Sequence, residues 1–324
     1  MFALFVLCLT WGTLPVRGKL LIISAVAVSL SGCGVVPRLI PRPAGAPTPA
    51  PAASPATPQP PSSSSSPAAT PSPTRPALGA PQARQAVRQW VAAYNATLKQ
   101  RRWWRQDARI EALFVEAALH EGVLERNHEV FKWKPGHKPI TLTGEPTIYL
   151  PRPERQPPIG DWFIAQTTYR DTKGHARPHV LAFFRAPGQS FKLAVATPIH
   201  WGQRMPKPRL DADGYITDMD DAMAGAVAKE YLNFWNNKKK EGASGYRLAR
   251  DNYSRKAFPK VNKGMYVAFA GHGSVFGFRT ADGGSFFLFA LVNAPKSVNQ
   301  VLSEALLVPA GAKTIQELGG NWFS

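Results

Sequence analysis

Cysteine is almost missing from this chain. Only Cys8 and Cys33 occur in 324 residues, so the disulfide framework that staples many small secreted domains cannot be built. Beyond Cys33 there is no thiol, which excludes a cysteine nucleophile and a Cys-ligated metal site, and stability must come from an ordinary core. Acidic residues are also scarce: 21 Asp and Glu face 39 Lys and Arg, a net charge of +18. A surface of that sign is drawn to anionic partners by long-range attraction that salt weakens. Long apolar runs are lacking too. Leu20 to Leu30 is too short for a comfortable membrane span.

What is present near the start is an ordered signal. Arg17 and Lys19 supply positive charge, Leu20 to Leu30 an apolar centre, and Ser31 and Gly32 the small residues that precede a cut. Residues 1–15 form a second apolar stretch on the wrong side of the charges, and we read translation as beginning near Val16. Leu30-Ser31-Gly32-Cys33 resembles the lipobox of bacterial lipoproteins. That resemblance implies lipid transfer to the Cys33 thiol, cleavage before it, acylation of the new amino terminus, and a protein held on the extracytoplasmic face of the cell membrane. Removing 1–32 takes away Arg17 and Lys19 and no acid, which leaves +16. For an exported chain such charge points to anionic lipid headgroups or wall polymers instead of nucleic acid.

Residues 33–81 are expected to be a disordered tether. Pro37 to Pro81 holds 15 of the 31 prolines, with an unbroken serine run from Ser62 to Ser66. Too little apolar surface is available there to repay the entropy of folding. Extended at ~3.1 Å per residue, the tether reaches roughly 100 Å or so.

The remaining chain divides by pattern into a first unit at 82–200, a connector at 201–216 and a second unit at 217–324. Val87, Val91, Tyr94 and Leu98 mark one helix, and Ile110, Leu113, Phe114, Ala117 and Leu124 a second over Arg109 to Arg126. Strand-like runs follow at 140–150, 162–169, 180–185 and 191–197, with turns at 171–174 and 186–189. In the second unit Thr217 or Asp218 can cap a helix carrying Val227, Tyr231, Phe234 and Trp235, and Arg247 to Phe258 can add a short one. Strands are predicted at 265–270, 274–280, 285–292 and 301–308, with a hairpin turn at Asp282-Gly283. The expected fold class is therefore α+β, as two tandem units with N-terminal helices on a mainly antiparallel sheet. That element order resembles the SnoaL-like, nuclear-transport-factor-like cone. The layout after a proline-rich tether, with Val91-Ala92-Ala93-Tyr94-Asn95, is similar to actinobacterial lipoproteins of unknown function, which implies a surface protein and no particular activity.

Candidate sites are few. His175 and His179 have i, i+4 spacing, but Gly174 and Pro178 argue against the helix a metal pair needs. His120 and His128 are each followed by glutamate without completing HExxH, and are expected on solvent-facing helix surface. Asp211, Asp213, Asp218, Asp220 and Asp221 form an acidic island, but Tyr215 replaces a calcium ligand and Gly214 falls two positions early. Gly271-His272-Gly273-Ser274-Val275-Phe276-Gly277 lacks the third glycine of a dinucleotide loop and the glycine at 272 of a nucleophile elbow, so its glycines are expected to allow close backbone contacts. Lys238-Lys239-Lys240 suits a helix C-terminus. Arg101-Arg102-Trp103-Trp104-Arg105 is the stretch best suited to an anionic surface; its alternative is a helix end with buried tryptophans. Asp161, His179 and His272 are the polar groups a cone cavity could use.

These residues describe a non-enzymatic binding or scaffolding module with no cofactor and no metal, partnered with the membrane through its lipid anchor. The alternative is a small-molecule-binding protein or enzyme that uses a cavity in one unit.

Overall fold

The first helix forms where apolar residues recur at helical spacing after a proline that suits a first turn. α1 (Ala80–Leu98) buries Ala83, Val87, Trp90, Val91 and Tyr94 on one face. The computed structural model describes residues 77–170, 174–236, 240–261, 268–294 and 298–324. The signal, Cys33 and the tether lie outside them.

The helix expected over 109–126 is two helices. α2 (Asp107–Leu113) ends at Phe114, whose extended backbone bridges Leu193, while the Val115 N–H donates to the Leu193 carbonyl at 2.9 Å. α3 (Glu116–Val130) then restarts the helix. A sheet edge thus captures two residues from an otherwise continuous helical pattern. The run at 140–150 is likewise divided, into β1 (Thr141–Leu142) and β2 (Thr147–Tyr149), around Gly144 at φ +83°. β3 (Asp161–Arg170), β4 (Ala176–Arg185) and β5 (Lys192–Pro198) follow as an antiparallel meander. The turn at 186–189 is closed by Gln189 N–H to Ala186. Residues 171–173 of the other turn lie outside the described residues.

α4 (Asp221–Asn236) is capped two or three residues later than expected: Asp220 Oδ1 accepts from Met223 N–H at 2.9 Å. β6 (Arg247–Leu248) precedes α5 (Tyr253–Val261). Then come β7 (Phe269–Gly271), β8 (Phe276–Arg279), β9 (Ser285–Asn293), β10 (Gln300–Val308) and β11 (Thr314–Phe323). This second sheet runs β6-β11-β10-β9-β7, with β8 also on β9, and is antiparallel except for β6 beside β11. β11 was not anticipated, because Gly319-Gly320-Asn321 reads as a chain break.

Alternation along the strands explains the layering. In β9, Phe286, Leu288, Ala290 and Val292 face a core shared with Ile164, Val180 and Ala182 of the first sheet. Phe287, Phe289 and Leu291 face α4. In β3 and β4, Phe163, Ala165, Leu181 and Phe183 face α1 to α3. The order is helices, sheet, sheet, helices: a mixed α+β architecture with antiparallel-rich sheets. All described residues fall within one compact unit. Among them no helix is long and apolar enough to cross a membrane.

The sheets join at one corner that matters for the site. Ile199, just past β5, bridges Gly319 of β11, and His200 N–H donates to Leu318 at 2.8 Å. A Cβ at Gly319 would come within 2.4 Å of the Pro198 carbonyl, so only glycine permits the approach.

Candidate functional site

At this corner β10 and β11 slip register between Ala305 and Leu306, so that Ala305 opposes Gly319 while Leu306 opposes Glu317. Such bulges re-aim side chains. Here Leu318 packs into the core between the sheets, and Glu317 lines a cavity of about 750 Å³ on the other side. Glu304 of β10 lies opposite Gly320, where a Cβ would sit 3.2 Å from Glu317 Oε1 and 3.4 Å from Glu304 Oε2. Two glycines and a bulge therefore make room for two carboxyl groups side by side.

Glu317 is held from four directions. His200 Nε2 lies 2.9 Å from Oε1; the Ser254 N–H at the start of α5 donates to Oε2 at 2.9 Å, and the Tyr231 hydroxyl reaches the same oxygen at 3.4 Å. Asn252 accepts from the Glu317 N–H at 3.1 Å, fixing the strand itself. Glu304 is far less provided for. It is 1 % exposed, the Ser254 hydroxyl is 3.4 Å from Oε1, and Oε2 has no partner. Burial first, and the charge of Glu317 second, push its pKa well above the ordinary carboxylate range. Both causes favour the protonated form of Glu304, which can donate as well as accept a hydrogen bond. Burial, then the two glutamates, also raise the Tyr231 pKa, which keeps that phenol protonated.

Trp235 lines the same cavity, and its indole N–H is buried without a partner. Trp322 packs edge-on against it at 5.3 Å. At the mouth stand Trp201, 79 % exposed, and Tyr253, 58 % exposed. Arg177, whose pKa burial lowers, and Lys256 also line the wall.

A second polar cluster lies under α3. His137 is buried between Glu125, 3.0 Å from Nδ1, and Glu121, 3.4 Å from Nε2, while Glu125 also accepts the N–H groups of Gly136 and His137. Burial opposes the charge on His137, but hydrogen bonds and attraction from both glutamates outweigh it and raise its pKa. For Glu125, burial is likewise outweighed, and the histidine lowers its pKa. A smaller cavity of about 240 Å³ adjoins this cluster.

The residues singled out from sequence fare differently. Leu30, Ser31, Gly32 and Cys33 lie outside the described residues, as do Lys238 and Lys239. In the Arg101–Arg105 stretch Trp103 is buried against Phe114 and His137, so it cannot meet a surface. Trp104 donates to Glu129 at 3.3 Å, and Arg102 and Arg105 pair with the same carboxylate; Arg101 alone stays exposed and unpaired among the described residues. His128 is not solvent-facing as expected: it stacks on Phe323 and contacts the Lys134 carbonyl at 2.8 Å. His120 meets His272 at 3.1 Å, and burial followed by that neighbour lowers its pKa. His175 is exposed, whereas His179 stacks on Tyr169 at 3.6 Å, and burial brings its pKa down to about 4. Asp161 pairs with Arg185 at the far end of the β3–β4 hairpin from His179, so Asp161, His179 and His272 do not converge. The acidic island is distributed among Arg152, Arg155 and Arg279. Among the described residues no three His, Cys, Asp or Glu side chains could hold a metal. The glycine loop serves packing: Ser274 bonds Glu116 through N–H and hydroxyl, and a Cβ at Gly277 would clash with the Phe286 carbonyl at 2.3 Å.

Glu304, Glu317, His200, Ser254 and Trp235 were missed. The available signal was a glutamate in the middle of Val301 to Val308, since a buried acid in an apolar strand is costly unless it has a task.

The fold and cavity define a mixed α+β protein with a carboxyl-floored pocket. Residues 74–313 match the family described as Domain of unknown function (DUF8094), and the chain belongs to that family. No curated protein and no solved structure matches it.

Proposed function

We propose that the chain is a lipid-anchored extracytoplasmic envelope protein, tethered through Cys33, that binds a hydroxyl-rich small molecule in the cavity over Glu304 and Glu317. A sugar unit is the chemical class that fits. The carrying observation is the pair of polar atoms left unpaired among its lining side chains, Glu304 Oε2 and Trp235 Nε1. A buried polar atom without a partner costs roughly 1–3 kcal/mol, and a hydroxyl can satisfy both a donor and an acceptor at once. Trp201 and Tyr253 at the mouth offer faces on which a pyranose ring can stack, and Gln203, Gln316 and Asn321 add amides.

In this reading the proline-rich segment is a spacer and the basic surface holds the protein among anionic envelope components. The two halves, each with helices outside and a mainly antiparallel sheet inside, are read as tandem units of SnoaL-like type, with the cavity at the corner where β5 meets β11. The cavity supports a ligand over a pure scaffold.

The test is a titration of the intact protein with chitotetraose, mannotetraose and maltotetraose, followed by tryptophan fluorescence and calorimetry. We expect saturable binding of at least one, weakened tenfold or more, about 1.4 kcal/mol, in Trp201→Ala. No saturation with any of the three at millimolar concentration contradicts the sugar reading. The anchor has its own test: Cys33→Ala should move the protein out of the membrane fraction, and retention there contradicts it.

A further inference from the structure

The end of α3 presents a surface that nothing else in the fold uses. Val130, Phe131 and Trp133 are 67 %, 60 % and 55 % exposed, although large apolar side chains at a helix end normally fold back on the core. Phe131 and Trp133 stack on each other at 5.1 Å. Lys132 and Lys134 alternate with them, and Lys138 is exposed close by in sequence. None of these three lysines has an acid partner among the described residues. Glu129, the nearest acid in sequence, is occupied by Arg102 and Arg105.

The presentation is built, not frayed. Phe131 N–H donates to Asn127, Lys132 N–H to Glu129 and Trp133 N–H to His128 at 2.7 Å. Lys132 takes a left-handed conformation at φ +56°, a costly choice for a residue with a Cβ, and it reverses the chain so that Phe131 and Trp133 fall on the same side. His128 braces the Trp133 ring edge-on at 5.5 Å and is itself stacked on Phe323.

We infer that Val130–Lys134 is a docking knob for an anionic phospholipid bilayer. Amphipathic aromatic rings settle at headgroup depth, and lysines interleaved with them meet anionic headgroups. The charge complementarity is local, in three lysines without an acid partner among the described residues, as well as global, in a chain of net charge +18. The anionic-surface role expected of Arg101–Arg105 passes to this neighbouring stretch, because Trp103 is buried and two of the arginines are already paired. The inference is independent of the cavity and of its ligand.

The test uses the full chain reconstituted into vesicles of phosphatidylcholine alone or with one quarter phosphatidylglycerol, each doped with bromine-labelled lipid that quenches nearby tryptophan. A tether of the expected length does not by itself bring the folded part to the bilayer. We expect quenching in the anionic vesicles, reduced at least twofold in Trp133→Phe, in Phe131→Ser with Trp133→Ser, and in Lys132→Glu with Lys134→Glu. Melting temperatures within about 2 °C of wild type show that these variants fold. Absence of quenching, or equal quenching in all variants, overturns the inference. So does loss of self-association in Phe131→Ser with Trp133→Ser at unchanged quenching, which would make the patch a contact between copies.

Discussion

Glu304 faces Gly320 across two strands, and no substitution tests the site more simply than Glu304→Gln. Because burial and Glu317 raise its folded pKa, the favourable protonated form is fully populated below the unfolded value of about 4.5, and stability is lost as pH rises through the higher folded value. Glutamine mimics the protonated acid. It should leave the melting temperature near pH 5 almost unchanged and raise it at pH 8 by several degrees, at roughly 2–4 °C per kcal/mol for a domain of this size. Equal pH profiles for the two proteins would show that Glu304 does not titrate as described. His137 and Glu125 work in the opposite sense to each other. The stability from raised His137 is present below about pH 6.5 and lost as pH rises through its folded value; that from lowered Glu125 is present above about 4.5 and lost on acidification. His137→Gln removes the imidazole from between two buried glutamates and should cost ~3–5 kcal/mol at pH 6.5 by urea denaturation.

At the scale of elements, the corner between β5 and β11 sets the position of His200. Gly319→Ala would drive a methyl group into the Pro198 carbonyl. Such crowding costs ~1–3 kcal/mol, and displacement of His200 from Glu317, 2.9 Å away, should appear as changed His200 ring chemical shifts in NMR; unchanged shifts would separate the corner from the site. The same corner shows what the sequence made legible. α1 and the β3–β5 meander were readable because their apolar residues keep one period throughout. The helix over 109–126 was not, because Phe114 and Val115 obey a sheet edge that lies about eighty residues away in sequence. β11 was hidden by paired glycines that serve close approach instead of a turn. The candidate site stayed unread for the same reason: His200, Tyr231, Ser254, Glu304 and Glu317 share no spacing, and a one-residue bulge at Leu318 decides which way Glu317 points.

For the molecule as a whole, the core between the sheets decides whether the halves stand or fall together. Phe278 packs against Phe286 of its own sheet at 4.9 Å and Tyr149 of the other at 5.3 Å. Phe278→Ala should cost ~3–5 kcal/mol and lower hydrogen-exchange protection in β3 and β9 alike. Loss confined to β9 would mean that the two sheets unfold independently.

The most direct measurement of the central claim is saturation-transfer difference NMR of chitotetraose, mannotetraose and maltotetraose with the intact protein, wild type beside Trp201→Ala. The cavity reading predicts transfer to the ring protons of at least one sugar in the wild type, strongly reduced in the variant. Transfer that is absent from all three sugars, or equally strong without Trp201, would contradict it.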